Sequence, residues 1–367
     1  MGTSSSALGE VRRTQLVQQL ARRGVSRAST LAAELGVSVA TMRRDLTQLA
    51  DEGVVMRVHG GAMLCADRAP ADAYLHRSDA DPVTGVIAVL VPSTDYYWPG
   101  VLGGIQAGAR SYALSTLLRR GSYTSIDERA AVEALLKTER LAGVVIAPNT
   151  RAPFAGEVLQ MLSEATVPVV LVERTGIAGE YRMPLEAVVT DHGLGVALAA
   201  RHLHALGHRR VGLVTVRESQ TSRRLLSSWP AACRELGLQS HEHFAQPAGP
   251  EDQDSQELAI SEAIDTALAN DVTGLVVHSD PEAMSLVEGA KAQGLRVPQD
   301  LSVIAYDDQV AALFSPALTA ISPPRHAIGS AAVELIVERI ADPVRPLRRV
   351  ILSPDLIVRE STGPARV

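Results

Sequence analysis

Cysteine is almost absent from this 367-residue chain: Cys65 and Cys233 are the only two. They sit in unrelated contexts and match no zinc-ligand or redox spacing, so a disulfide framework and a thiolate metal site are both excluded. Two unpaired thiols suit a reducing compartment. Lysine is as rare, with Lys137 and Lys291 set against 33 arginines; that bias follows arginine's GC-rich codons and carries no functional weight. Aromatic residues make up only 3% of the chain, so any cluster of them is informative. No run of about 18 apolar residues occurs, which excludes a membrane-spanning helix. The opening Met1-Gly-Thr-Ser-Ser-Ser6 has neither a basic nor an apolar stretch, so no secretory signal is expected and the location expected is cytoplasmic.

What is present is a large apolar fraction, 46%, in a chain long enough for about two domains. The net charge of -6 is unevenly spread. Residues 11–60 hold eight arginines (12, 13, 22, 23, 27, 43, 44 and 57) against four acids, Glu34, Asp45, Asp51 and Glu52. A basic head on an acidic body fits a protein that holds nucleic acid at one end only.

Residues 11–64 read as three short helices and a hairpin. Leu16, Val17 and Leu20 form a one-sided stripe that Gly24 ends. A second helix covers Leu31-Ala-Ala-Glu-Leu35 and stops at Gly36, and Ser38 stands where it would N-cap a third that continues to about Ala50. Val54-Val-Met-Arg-Val58 with His59-Gly-Gly-Ala62 gives a strand pair. Residues 65–82 are polar, alanine-rich and carry Pro70 and Pro82; they read as a linker, or alternatively as a short docking helix through Ala71 to His76. From residue 83 to 362 strands and helices alternate. The runs Gly85–Val91, Gly143–Ala147, Val167–Val172, Val211–Val216, Gly274–His278 and Leu301–Ala305 are continuously apolar, as strands buried on both faces must be. The expected class is α/β: a two-lobed body of parallel sheets plus a small N-terminal helical domain. The lobes are expected at about 83–207 with 322–345, and at about 208–321 with 346–362.

On the third helix, Leu46 and Leu49 fall within about 40° of Met42 and form its buried seam. Ala40, Arg44 and Thr47 lie opposite, with Thr41 and Arg43 beside them. Such a face suits a major groove, where arginine bonds guanine bidentately and threonine methyls meet thymine; a plain solvated face is the alternative. The arrangement Leu31-Ala-Ala-Glu-Leu-Gly-Val-Ser-Val-Ala-Thr-Met-Arg-Arg-Asp-Leu46, followed by Arg57-Val-His-Gly-Gly-Ala62, resembles the DeoR family of winged helix-turn-helix regulators over residues 10–64. The resemblance implies DNA contacts from Ser38, Thr41, Arg43, Arg44 and Thr47 on the recognition helix, and from Arg57 and His59 on the wing. Some of these would touch only phosphate.

In the body, Val167-Pro-Val-Val-Leu-Val-Glu-Arg174, Ala187-Val-Val-Thr-Asp191, Ala205-Leu-Gly-His-Arg-Arg-Val211, His278-Ser-Asp280 and Val297-Pro-Gln-Asp-Leu-Ser-Val-Ile-Ala-Tyr-Asp-Asp308, with Leu318-Thr-Ala-Ile321, are similar to the LacI/GalR family of sugar-responsive repressors. That family's sensor shares its fold with periplasmic sugar-binding proteins. In such folds ligand sits beyond the carboxyl ends of the strands. Tyr97 and Trp98, just after the first strand, can offer an aromatic platform to a sugar ring, or else a plug or dimer contact. The resemblance further implies hydroxyl contacts from Arg174, Asp191 and Asp280, whose alternatives are caps or lobe-bridging ion pairs. Asp307 and Asp308 read as structural. The chain departs from the family at Leu225, where an arginine ordinarily precedes Trp229 by four residues; Arg223 and Arg224 are the neighbours that could replace it.

No nucleophile elbow, phosphate loop or His-Glu-x-x-His occurs, and Gly193-x-Gly195 lacks the third glycine of a dinucleotide site, so neither catalysis, a cofactor nor a metal is expected. The expectation is a DNA-binding transcription regulator, a repressor controlled by a sugar or polyol. Its partners would be double-stranded operator DNA and a second copy of itself as a homodimer, with no membrane. A sugar-binding protein without regulatory DNA binding is the other reading.

Overall fold

The computed structural model describes residues 12, 13, 16, 17, 19, 20, 26–51, 54–58, 61–64, 85–122, 127–178, 183–216, 219–245 and 253–366. The 65–82 linker expected from sequence lies outside the described residues. The chain falls into two units, one formed by the N-terminal segment and one by the body.

In the N-terminal unit, strand β1 (Ser26–Arg27) leads into helices α1 (Ala28–Glu34) and α2 (Val39–Asp51), then strands β2 (Val55–Val58) and β3 (Gly61–Leu64). Gly36 takes φ +63°, the left-handed turn that only glycine adopts cheaply, so α1 stops there and the chain swings into α2. The sheet has three strands in the order β1-β3-β2, one more than the expected hairpin. Two residues are too few to show a period in sequence. Gly61 is what admits β1: a Cβ there would lie 2.2 Å from the Ser26 carbonyl oxygen. Leu16, Leu20, Leu31, Met42, Leu46, Leu49, Val55 and Ala62 make one core from helices and sheet together.

The body begins with β4 (Val86–Val91), α3 (Trp98–Ser111), β5 (Ser115–Arg120), α4 (Arg129–Leu136), β6 (Leu141–Ile146), α5 (Ala155–Ser163) and β7 (Val169–Val172). A short antiparallel pair, β8 (Ile177–Ala178) with β9 (Met183–Pro184), precedes β10 (Glu186–Thr190). The chain then crosses to a second lobe through α6 (His192–Ala205), β11 (Arg210–Val216), α7 (Gln220–Glu235), β12 (Gln239–Ala245) and α8 (Gln253–Ala269). It continues through β13 (Gly274–His278), α9 (Asp280–Ala292), β14 (Ser302–Tyr306) and β15 (Thr319–Ser322). Helix α10 (Arg325–Ala341) and strand β16 (Arg349–Leu352) return to the first lobe, and β17 (Asp355–Ile357) closes the second.

The first sheet runs β16-β10-β7-β6-β4-β5 and the second β12-β11-β13-β14-β15-β17. Pairing is parallel from β16 through β4 and from β12 through β15, while β17 joins antiparallel. Strands β7, β10, β13 and β14 are buried along their whole length, which accounts for the largely apolar composition of β7, β13 and β14. The α/β two-lobed architecture is therefore as expected.

The lobe boundaries are not. Helix α6, assigned by sequence to the first lobe, buries Val196, Ala199 and Leu203 against Val211, Leu213 and Trp229 of the second. Residues 346–352, assigned to the second lobe, belong to the first. Glu186 at the head of β10 is buried and receives Arg345 Nη1 at 2.6 Å and the Arg348 backbone N–H at 3.0 Å. That anchorage sets β16 beside β10, with Ala187 opposite Arg349.

Candidate functional site

The first candidate surface is the outer face of α2. Ser38 Oγ accepts from the Thr41 N–H at 3.1 Å and lies 2.9 Å from Thr41 Oγ1, so both hydroxyls help start the helix, as the N-cap reading of Ser38 required. Met42, Leu46 and Leu49 face inward, leaving Arg43, Arg44 and Thr47 exposed. Thr47 Oγ1 donates to the Arg43 carbonyl at 2.9 Å. Sequence reasoning missed Asp45. It is buried and takes Arg12 Nε at 2.6 Å and Arg12 Nη2 at 3.2 Å, pinning α2 to the residues before it. Arg12 is thereby withdrawn from the free basic charge counted in the head. The Arg57 side chain and the whole of His59 lie outside the described residues.

The second candidate is where the strand ends of the two lobes face one another. Positive φ in a non-glycine residue is uncommon and gathers where a fold over-determines its backbone. Of seven such residues among those described, four stand here: Tyr96, Glu173, Asp307 and Asp308. Each closely follows a strand, as the rule applied to Tyr97 and Trp98 demands.

Glu173 is the hub on the first-lobe side. Its carboxylate receives the Tyr97 hydroxyl, Thr190 Oγ1 at 2.7 Å and the Thr190 N–H at 3.1 Å, with His192 Nε2 at 3.7 Å. Burial alone would push its carboxyl up; the His192 imidazole, the Tyr97 hydroxyl and Thr190 outweigh that and bring it down to about 2. The approach of His192 at the start of α6 to Glu173 carries the network across to the second lobe, where His192 Nδ1 lies 2.9 Å from the Tyr306 hydroxyl of β14. There His278 Nε2 stands 3.8 Å from the buried Asp307 carboxylate. Burial takes His278 down to about 4, against the pull of Glu282, so its imidazole is neutral at physiological pH. Asp307 is displaced the opposite way. Burial first and the Asp280 carboxylate second hold it well above the usual carboxylate range, with Arg325 opposing.

The residues singled out from sequence fare unequally. Tyr97 reaches Glu173. Trp98 is buried, its edge against Tyr97 at 5.7 Å between centroids and its face 5.9 Å from the Arg174 guanidinium, so it supports the site from beneath and is no open platform. Arg174 is buried too and donates Nη1 to the Glu173 carbonyl at 2.8 Å. Asp191 caps α6 by accepting the Leu194 N–H at 2.9 Å, one of the alternatives held open for it. Arg224 spans the lobes at the rim, Nη2 to Thr175 Oγ1 at 3.4 Å, while Arg223 is exposed and Leu225 fully buried.

Asp280 takes a structural role of the kind held open for it. Its side chain is completely buried and accepts four backbone N–H groups, from Asp308 at 3.1 Å, Gln309 at 2.6 Å, Val310 at 2.9 Å and Ala311 at 3.2 Å. A carboxylate so occupied holds the 308–311 loop, Oδ2 taking three of the N–H groups and Oδ1 the fourth. Asp307, read from sequence as structural, is instead the acid left open.

Among the described residues no group of three or more His, Cys, Asp or Glu could hold a metal ion, and no helix is long and apolar enough to cross a membrane.

Comparison with known proteins agrees with this division. Residues 12–68 match the DeoR-like helix-turn-helix domain, and residues 200–362 the periplasmic binding protein-like domain. An uncharacterised HTH-type transcriptional regulator of Streptomyces limosus is 29% identical over 351 residues, 92% of this chain and 95% of that protein. The arabinose metabolism transcriptional repressor of Halalkalibacterium halodurans is 26% identical over 348 residues, 92% of this chain and 90% of that one. A LacI family regulator from Enterococcus faecium, solved with bound ribose, superposes with a TM-score of 0.62 at 22% identity, over 77% of this chain and all of its own. A helix-turn-helix head on a two-lobed, periplasmic-binding-protein-like body is thus the organisation of this chain.

Proposed function

We propose that the chain is a DNA-binding transcription regulator, a repressor in which a DeoR-type winged head is joined to a LacI/GalR-type sensor, with operator affinity set by a sugar or related polyol held between the lobes. One observation carries the reading: the same chain exposes Arg43, Arg44 and Thr47 on a capped, well-anchored helix and buries a charged, aromatic cluster at the facing strand ends of its body. The first is what a major groove accepts. The second offers directed donors and acceptors beside ring faces, which is what a polyhydroxylated molecule requires.

A single small head makes too few contacts for useful specificity, so the chain acts as a symmetric homodimer on a palindromic or repeated site. An effector that prefers one state of the body a hundredfold changes operator affinity by about 2.7 kcal/mol. The test is fluorescence anisotropy of the full chain on genomic fragments, with and without a panel of sugars and polyols. Absence of any fragment preference would sink the reading. For the alternative, a binder without regulation, the deciding protein lacks residues 1–82: it should keep sugar binding and lose the operator.

A further inference from the structure

We propose that the molecule held between the lobes carries a protonated amine as well as hydroxyls, an amino sugar or amino-bearing polyol, with the Asp307 carboxylate as its counter-ion. The inference rests on reading this cleft as a polyol site, and it names the class of polyol.

Four buried carboxylates stand in the site among the described residues, and three of them are satisfied by the protein. Glu173 has Tyr97 and Thr190. Asp280 has its four backbone N–H groups. Glu282 accepts the Ser279 N–H at 2.9 Å and Ser279 Oγ at 2.6 Å. Asp307 is as buried as these, yet its carboxylate accepts no hydrogen bond from the described residues; the nearest group that could bear charge is His278 Nε2 at 3.8 Å. The cations close by are committed elsewhere. Arg325 donates to the main-chain oxygens of Asp307 and, at 3.2 Å, of Asp308, and Arg359 pairs with the Asp308 side chain at 2.8 Å. Leu225 on α7 supplies none. Aromatic rings stand close by: Tyr306 with His278 at 6.0 Å between centroids, and Tyr97, whose ring lies 5.8 Å from the Arg325 guanidinium.

A desolvated, unpaired carboxylate is among the costliest groups a protein can bury, and it neutralises itself by keeping its proton. Burial, with Asp280, Glu173 and Glu282 nearby and Arg325 opposing, pushes Asp307 in that direction. A neutral sugar can only share a hydrogen bond with the resulting acid, whereas an ammonium gives the ionised carboxylate the counter-ion it lacks. The neutral carboxylic acid then gives its proton to solvent and the resulting carboxylate pairs with the ammonium. The amine keeps its own protons throughout, so binding is accompanied by net release of protons.

Isothermal calorimetry of the full chain at pH 6.5 tests this, with glucosamine, galactosamine and mannosamine as probes, each beside its N-acetyl derivative and its parent hexose. At least one amine should bind about tenfold tighter than both neutral twins, and Asp307→Asn should cost that amine about tenfold or more. Repeating the titration in buffers of different ionisation enthalpy should show net proton release by the wild type, a readout independent of any variant's folding. A neutral twin binding as tightly, or an unchanged affinity in Asp307→Asn, overturns the inference and leaves the polyol reading standing. If none of the nine compounds binds, the polyol reading fails and the inference with it.

Discussion

The Tyr96 hydroxyl accepts a hydrogen bond from the Asp280 backbone N–H at 3.1 Å, tying the loop after β4 in one lobe to the first turn of α9 in the other. Together with the approach of His192 Nε2 to Glu173 at 3.7 Å, this bond joins the two faces through buried polar groups. Tyr96→Phe keeps the ring and removes the acceptor, leaving the Asp280 N–H without a partner. A loss of about 1–3 kcal/mol is expected, seen as a drop of several degrees in the thermal midpoint. An unchanged midpoint would mean that the lobes do not rest on this bond in solution.

Asp280 itself separates a structural role from a ligand-binding one. Asn presents one oxygen and an NH2 to a nest of four N–H donors, so Asp280→Asn should destabilise the body by about 1.5–3 kcal/mol with no ligand present. Urea unfolding checks this. Were Asp280 chiefly a sugar ligand, stability would hold and only affinity would fall.

Much of the fold is legible in the sequence because its physics is local. Val86–Val91 and Gly274–His278 are apolar throughout because parallel strands meet helices on both faces; Gly36 and Ser38 mark the ends of α1 and α2 for reasons contained in a few residues. The site is harder to read because its geometry is assembled from distant segments. Nothing near Asp280 announces that Asp308–Ala311 will fold back to fill its oxygens, and with them occupied the neighbouring Asp307 becomes the open acid. Likewise Asp45 can be placed on the wheel of α2, but its partner Arg12 stands 33 residues away. Glu173 is within reach of the sequence, since it follows a strand directly and is the acid next to Arg174. What hides its role is that Tyr97, and Thr190 with His192, come to it from two other segments.

The Glu173 network makes a pH-dependent contribution whose sign can be fixed. Its carboxyl falls from an ordinary 4.5 to about 2, so the folded state favours the ionised form. The stability this provides is complete above about pH 5 and is lost as pH falls from 4.5 towards 2. Glu173→Gln cannot titrate. The gap in urea midpoint between wild type and variant should therefore be widest at about pH 6–7 and shrink steadily below about pH 4.5. A gap constant across that range would show that the carboxylate is not held ionised by its neighbours.

Arg44 and Asp45 are adjacent on α2 and should fail in different ways. Arg44 is exposed, so Arg44→Ala leaves the fold intact and weakens binding to a specific operator by about 1–3 kcal/mol, relaxing discrimination at the base it contacts. Asp45 faces inward and holds Arg12 through two hydrogen bonds. Asp45→Asn breaks a charge-assisted pair that is only partly exposed, so the head should lose about 1–3 kcal/mol of stability. Operator binding would then fall on every sequence alike, as folded heads become scarcer. Anisotropy titrations against a specific and a scrambled fragment, alongside circular dichroism of the head's thermal transition, distinguish the two. If Asp45→Asn instead relaxed sequence preference at full stability, Asp45 would belong to the reading surface, and the inward orientation of α2 drawn from Met42, Leu46 and Leu49 would have to be turned.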